Sequence, residues 1–343
     1  MAIPDIQKFS TVPQRTTVFA AADMLKAAEN KSVLTKFGST KPMPRNKGET
    51  MVFRRVDPWN MQANGAPGTI DPATFQLAEG VNPPSYSLTY TDVPVTLKQY
   101  GVIHKFSSKT ALLYEDKVVP DLTRQTGNMM ADMLEYLMYG VVKAGTVVDY
   151  SNGSSRGAVN TKISIEQLRR IARTLYNARA GMVTTKIGAG MKYATAPIEP
   201  GWIVFAHTDM AADIRDLPGF KHAVEYAADQ KVAPSEIGAV EEFRFVLSPM
   251  FEPFLAAGNA TLNGMKNSSS AVDVYPFIVM GEDAWANVPL KGFESIRPIL
   301  HEATPSKADI LGQWGAVGAV TWQAPLILNQ NFMARGEAGV TNL

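Results

Sequence analysis

Gly153-Ser154-Ser155-Arg156-Gly157 has the G-x-S-x-G spacing that in many hydrolases sets a serine nucleophile on a tight turn between a strand and a helix. The chemistry would be acyl transfer, with the Ser155 hydroxyl attacking a carbonyl once a neighbouring base takes its proton. Such a turn needs an apolar helix directly after the serine, and none is encoded. Asp149-Tyr150-Ser151-Asn152 before it and Ala158-Val159-Asn160-Thr161 after it read as polar loop. The base is no better placed. His104, His207, His222 and His301 are scattered, with no H-E-x-x-H pair and no carboxylate at metal-ligand spacing. His207 and His222 could approach one another, and ordinary hydrogen-bonded roles account for both. The chain has no cysteine, which removes thiol nucleophiles, Cys-ligated zinc and disulfides and fits manufacture in a reducing cytosol. Gly188-Ala189-Gly190 lacks the third glycine of a dinucleotide fingerprint and follows no strong strand. The expectation is a protein with no catalytic residue, no metal ligand and no cofactor, not an enzyme. A hydrolase using Ser155 is the alternative from another class.

Charge and amphipathic faces narrow the choice further. Arg169, Arg170, Arg173 and Arg179 give one helix a basic side that could meet DNA phosphates or acidic residues of a neighbour. The same spacing suits a solvated face with a Glu166–Arg170 pair one turn apart. Met129, Met130, Met133 and Met138 recur at helical spacing, as core methionines do. Lys and Arg number 33 against 32 Asp and Glu, a net charge of +1, so nothing in the balance marks a dedicated nucleic-acid binder. The first residues, Met1-Ala2-Ile3-Pro4-Asp5-Ile6-Gln7, carry no secretion leader, and no stretch approaches about 18 apolar residues, so neither export nor a membrane is expected.

The elements that would position any site are uneven along the 343 residues. Phe19 to Phe37 predicts a short amphipathic helix, and Lys41 to Gly48 a basic, turn-rich link. The strongest helix runs from about Pro120 to Ala144, with Leu122, Met129, Met133, Leu137 and Val141 on one stripe and Met130, Leu134, Met138 and Val142 beside it. A second begins at Ser164 with Glu166 and Gln167 in its first turn and Ile165, Leu168, Ile171 and Leu175 as its apolar stripe. Trp202 to Ala206 predicts a fully buried strand, followed by a helix near Thr208 that breaks at Leu217-Pro218-Gly219. Phe243 to Leu247, Phe277 to Met280 and Gly315 to Leu328 follow as strands, and the chain closes in a polar, Gly-rich tail.

Between these lies a long two-strand segment, Gly48 to His104, that is poor in core residues. Thr50 to Val56 ascends and Ser85 to His104 descends, with nearly thirty Pro-, Gly- and Asn-rich residues between. Tyr86, Leu88 and Tyr90 alternate at even positions, whereas Val93, Val95 and Leu97 sit at odd ones. A bulge near Asp92 is expected if both sets face one core. Strands of about 15 to 20 residues would reach about 50 to 65 Å, longer than one domain needs, so a neighbouring subunit is expected to cover them.

Pro44-Arg45-Asn46-Lys47-Gly48-Glu49-Thr50-Met51-Val52-Phe53-Arg54-Arg55, Glu79-Gly80-Val81-Asn82-Pro83-Pro84 and Leu88-Thr89-Tyr90-Thr91-Asp92-Val93 closely resemble the major capsid proteins of N4-like tailed bacteriophages. Further matches are Leu217-Pro218-Gly219-Phe220 with Ala223-Val224-Glu225-Tyr226-Ala227, Glu236-Ile237-Gly238 leading into Phe243 to Pro249, and Leu326-Ile327-Leu328-Asn329. The chain departs from the pattern at Ala239-Val240-Glu241-Glu242, where relatives tend to carry a second glycine pair.

The resemblance implies an α+β fold of the Hong Kong 97 type. Residues 1–45 would be an N-terminal arm, and 46–104 an extended loop with its base. Residues 105–160 would be a peripheral domain with a spine helix at about 120–144, 161–305 an axial domain with some strands returning to the peripheral one, and 306–343 the closing strands and tail. It further implies self-assembly into hexamers and pentamers of an icosahedral head around double-stranded DNA. A portal protein would occupy one vertex, the host cytoplasm would be the place of assembly, and scaffold and decoration proteins are further partners of the family. Because fewer than 50 residues precede the loop, a separate scaffold or none is expected rather than a fused one. Arg54, Arg55, Trp59 and Phe75 are the candidate inter-subunit contacts, since charged forks and aromatics anchor interfaces. An encapsulin-like cellular compartment shares the fold and is the alternative within it.

Overall fold

The structure is a computed structural model that describes residues 33–58, 68–77, 79–80, 82, 85–109, 118–187, 195–225, 231, 233–293, 295–305 and 309–343. Most of the expected helix from Phe19, together with Trp59 and the Gly188-Ala189-Gly190 loop, lies outside the described residues. Of that helix only a single 3-10 turn, Leu34–Lys36, is described. Contacts divide the chain into two compact units. One comprises the described residues of Met1–Met51, Thr96–Gly140 and Ala286–Leu326, and the other those of Val52–Val95, Val141–Trp285 and Ile327–Leu343.

The first unit is built on a five-stranded sheet ordered β1 (Ser39–Thr40), β12 (Trp285–Pro289), β14 (Trp314–Ile327) and β13 (Arg297–His301), with β4 (Lys98–Ser107) antiparallel to β14 on its other side. Helix α1 (Val118–Val142) packs Val119, Leu122, Met130 and Ala131 with Phe106, Ile296, Val317 and Ala319. Its 25 residues span about 37 Å. Pro120 is tolerated because the amides of a first helical turn have no intrahelical acceptor to lose.

The buried seam of α1 differs from the stripe expected from hydrophobicity. Met129 is 51% exposed while Met130 is fully buried, and Thr123, Thr126 and Glu135 sit inside. Periodicity of apolar residues misplaces the seam because three of its positions are polar. Thr123 and Thr126 donate their hydroxyls to the carbonyls of Val119 and Leu122, 2.8 and 2.7 Å away, so neither is left unsatisfied. Glu135 accepts from the backbone N–H groups of Val33 and Leu34 at 2.9–3.1 Å.

The second unit carries an eight-stranded sheet. Its order is β5 (Val148–Tyr150), β15 (Met333–Ala338), β11 (Tyr275–Met280), β7 (Thr195–His207), β10 (Phe243–Ser248), β9 (Glu236–Val240) and β8 (Lys221–His222), with β6 (Val183–Ile187) also on β7. Strands β10 and β7 pair in parallel, and every residue of β10 and β11 is buried, including Arg244 of β10, 3.8 Å from the buried Glu236. Helix α2 (Ile165–Asn177) lays Leu168, Ile171, Ala172 and Leu175 into a core with Trp202, Val204, Phe243, Phe245 and Phe277. Ser164 caps it, accepting from the Gln167 amide at 3.2 Å. The Gln167 side chain does not return to the cap; it is buried and donates to the carbonyls of Asp149 and Glu337.

The expected polar tail is a strand. Alternate Gly and charged residues hide it, yet Met333–Ala338 lies between β5 and β11 with five of its six residues buried. Gly336 faces Phe277 across the pair, where a Cβ would overlap the phenyl ring.

Candidate assembly surfaces

Strands β2 (Thr50–Val56) and β3 (Tyr90–Thr96) form a two-stranded sheet of their own. Contacts between Thr50 and Thr96, Arg54 and Asp92, and Asp57 and Thr89 step one for one in opposite directions. The ladder is therefore antiparallel and runs through Asp92 without the expected bulge. The expected long descending strand is also divided: it breaks at Leu97, and β4 joins the sheet of the first unit. Seven residues make each paired strand about 23 Å long rather than 50 Å or more.

No bulge is needed because the two apolar sets do not share a face. Met51, Phe53, Arg55, Thr91, Val93 and Val95 line the more buried side; Val52, Arg54, Val56, Tyr90 and Asp92 line the exposed one. Arg54 and Asp92 form a bidentate pair at 2.7 and 2.8 Å on that exposed face, with the guanidinium 5.6 Å from the Tyr90 ring centre. Their hydrogen bond raises the Arg54 pKa and holds the Asp92 carboxyl below its ordinary range. Arg55 points the other way, to Asp57, which also takes the Thr91 hydroxyl at 2.7 and 2.8 Å. Phe75 ends a 3-10 turn, Pro72–Phe75, started by the Asp71 side chain, and lies 5.9 Å from Tyr86. Of the predicted contact residues, then, Arg54 and Arg55 stand on opposite faces, each paired within the chain; Phe75 is exposed; Trp59 is outside the described residues.

The larger signal is one that alternation alone misreads. Among the described residues, eighteen large apolar side chains are exposed, and eight of them, Val52, Val56, Ile70, Phe75, Leu77, Tyr86, Leu88 and Tyr90, fall within this one segment. Eight in one segment is a local concentration, where surface apolar residues otherwise stand singly. The parity clash at Asp92 was its trace in the sequence.

The residues weighed for chemistry take structural places. Ser155 is exposed and extended (φ −151°) ahead of the three-residue turn Arg156–Ala158, not on a strand-to-helix elbow. His104 Nδ1 is 2.9 Å from the Thr126 hydroxyl, His207 and His222 accept backbone amides through Nδ1, and His301 Nδ1 lies 3.5 Å from the Glu302 carbonyl. Burial lowers the His207 pKa and pushes Tyr275 up to about 12, while Tyr275 donates to Asp209 beside Lys266. Among the described residues no group of three His, Asp or Glu side chains could hold a metal, and no helix is long and apolar enough to cross a membrane. Two of the four arginines on the basic side of α2 are met within the chain, and Arg173 and Arg179 are exposed. Arg169 bonds Glu241, and Arg170 forks onto Asp149 rather than Glu166. Nearby, the fully buried Glu337 takes Arg156 at 2.7 and 2.8 Å. Arg335 Nε lies 2.9 Å from the same carboxylate, but off the hydrogen-bond axis, so that contact is ionic only.

A family model described as phage capsid protein matches residues 90–298, more than half the chain and starting at the first residue of β3. The major capsid protein of Pseudomonas phage KPP21 is 20% identical over 249 residues, a match covering 66% of this chain and 62% of that relative. The chain thus spans less than two thirds of the curated relative it matches. Among solved structures, the capsid of Ralstonia phage GP4 aligns with a TM-score of 0.62 at 13% identity, covering 91% of this chain and 92% of that one. The mature capsid of bacteriophage PhiM1 aligns at 0.55 and 10% identity, covering 100% and 92%. At such identities the likeness is one of fold, mixed α+β with few helices and many strands, and together with the family match it establishes that this chain belongs to the phage capsid protein family.

Proposed function

We propose that this protein is the major capsid protein of a tailed double-stranded DNA phage, with a fold of the Hong Kong 97 type and of the N4-like branch. It self-assembles as hexamers and pentamers into an icosahedral head. In this reading residues 1–45 are the N-terminal arm, 46–104 the extended loop, 105–160 the part of the peripheral domain that holds the spine helix α1, 161–305 mainly the axial domain, and 306–343 the closing strands. A portal protein at one vertex, scaffold and decoration proteins, and packaged DNA are its partners in this reading, and the virion head is its location.

The observation that carries the proposal is the exposed apolar segment from Val52 to Tyr90. Each large apolar side chain that passes from half-exposed to buried contributes about 1 kcal/mol. A shell repeats such contacts in every subunit, so modest contacts sum to a stable container. Arg54, Arg55, Trp59 and Phe75 are the proposed contact residues; the Arg54–Asp92 fork crosses between β2 and β3 and holds them in register, while Arg55 stands on the opposite face, bonded to Asp57 just beyond its own strand. Deleting Asn60 to Gln76 should leave a soluble, folded subunit that forms no closed shells; normal particles would refute the role of the loop.

A further inference from the structure

We propose that Asn263 is a self-modifying site: its side-chain amide condenses with the Gly264 nitrogen and opens to isoaspartate, which loosens the turn that holds residues 340–342. The sequence contains three Asn-Gly pairs, Asn64-Gly65, Asn152-Gly153 and Asn263-Gly264, of which the first lies outside the described residues. Spacing alone treats the other two alike; their surroundings differ. Asn152 is half-buried and committed on both side-chain atoms. Its Nδ2 donates to Ala158 O at 2.9 Å and to Asn160 Oδ1 at 2.8 Å, while Oδ1 accepts the Asn160 amide at 3.0 Å and the Thr161 hydroxyl at 3.1 Å. Gly153 is packed as well, since a Cβ there would overlap the Ala158 side chain. Asn263 and Gly264 are both exposed. At φ 47° and 73° they are the central pair of a turn closed by the Met265 amide on Leu262 O at 2.8 Å. A Cβ at Gly264 would meet nothing within 4 Å, and among the described residues neither the Asn263 side chain nor the Gly264 amide is hydrogen-bonded.

The reaction needs only water. The Gly264 nitrogen attacks Asn263 Cγ, the Cγ–Nδ2 bond breaks, and ammonia leaves with the proton that the glycine amide gives up. The cyclic imide then takes up a water molecule. Opening at one carbonyl gives aspartate, and opening at the other routes the main chain through Cγ and gives isoaspartate. Glycine favours the ring because it has no Cβ to crowd the attack and its backbone adapts freely. Both products exchange a neutral amide for a carboxylate, and isoaspartate also inserts a methylene into the main chain. The turn has partners that register this change. Gly264 O accepts the Asn342 amide at 3.0 Å, Met265 pairs with Thr341, and the Lys266 amide donates to Val340 O at 2.7 Å. Thr341 is tied further inward, donating its hydroxyl and amide to Asp213 at 2.6 and 2.9 Å. The added backbone atom breaks the register at Gly264, and with it the grip on Asn342.

Ageing the full wild-type chain at mildly alkaline pH tests the assignment, with isoaspartate located by an isoaspartyl methyltransferase and by mass spectrometry of the peptides. Isoaspartate at position 263 should exceed that at 152 by about tenfold or more, because Asn152 must first give up several hydrogen bonds. In urea, where both surroundings are lost, the two positions should convert at similar rates. Asn263→Ser should abolish the signal at 263 and leave 152 unchanged. Hydrogen exchange then separates charge from the added atom. Protection of the Asn342 amide should fall by about tenfold in the isoaspartate form, yet stay within about threefold of the fresh wild type in Asn263→Asp, which carries the charge alone. Conversion at 152 as fast as at 263, or none at 263, overturns the site. The same preference in the unfolded chain as in the folded one also overturns it, by placing the cause in the neighbouring residues. Unchanged Asn342 protection in the isoaspartate form overturns the loosening. None of these readouts depends on shell formation.

Discussion

Replacing Glu135 with alanine should release residues 33–35 from α1. The carboxylate is fully buried; Oε1 accepts the Leu34 amide at 2.9 Å, and Oε2 accepts Val33 and Leu34 at 3.1 Å each. The Thr35 N–H also bonds it. Alanine leaves these donors without an acceptor. At about 1–3 kcal/mol for each unsatisfied buried donor, reduced because Val33 is only half-buried, the local loss is about 2–4 kcal/mol. Native-state hydrogen exchange reads it directly as a fall of roughly 30- to 700-fold in protection of those three amides. The pH dependence has a fixed sign. Burial raises the Glu135 pKa above its ordinary 4.5, outweighing the three amides and Lys36, which pull it down. The folded state then binds more protons than the unfolded state between the two values, so the stability Glu135 contributes is full below the ordinary pKa and shrinks as pH rises through the raised one. The alanine penalty should shrink in the same direction. Protection unchanged within about threefold, or a penalty that grows as pH rises, would refute this account of the tie.

Two further outcomes follow from the second unit. Glu337→Gln removes the buried charge that faces Arg156 and Arg335 and should lower stability by about 3–5 kcal/mol, read as a lower urea midpoint of the unassembled protein; a change under about 1 kcal/mol would contradict the buried pairing. Gly336→Ala puts a methyl into the Phe277 ring and should cost about 1–3 kcal/mol or prevent soluble expression, while Gly336→Ala with Phe277→Leu should recover part of the loss.

Much of the fold is legible in the residues because local rules and tertiary packing agree there. The stripe of α2, its Ser164 cap and the buried run Trp202 to Ala206 are each what apolar spacing dictates. The rest depends on partners far along the chain. Leu97 divides one apparent strand into two because β4 has β14 to pair with, and nothing near Leu97 announces a partner more than two hundred residues away. Strand β15 reads as tail until β11 and β5 flank it. Arg170 chooses Asp149 over Glu166 because β5 brings that carboxylate and the Tyr150 carbonyl together. Arg54 and Phe75, named for contacts, are exposed, and whether they make contacts is for the assembly assay to decide; the exposed set from Val52 to Tyr90 reads in the sequence as half-buried alternation. Only the parity clash across Asp92 showed that the two apolar sets lie on opposite faces, one of them exposed among the described residues. Glu135 had a signal too, a carboxylate one helical turn from the buried Ala131 and Tyr139.

Electron microscopy of the purified wild-type protein beside the Asn60-to-Gln76 deletion should decide whether this chain builds shells. Closed icosahedral shells or capsomer-sized rings from the wild type, and only dispersed folded subunits from the deletion, are the expected result. A wild type that remains a uniform monomer or small dimer in every condition, alone or with the neighbouring phage genes co-expressed, would contradict it.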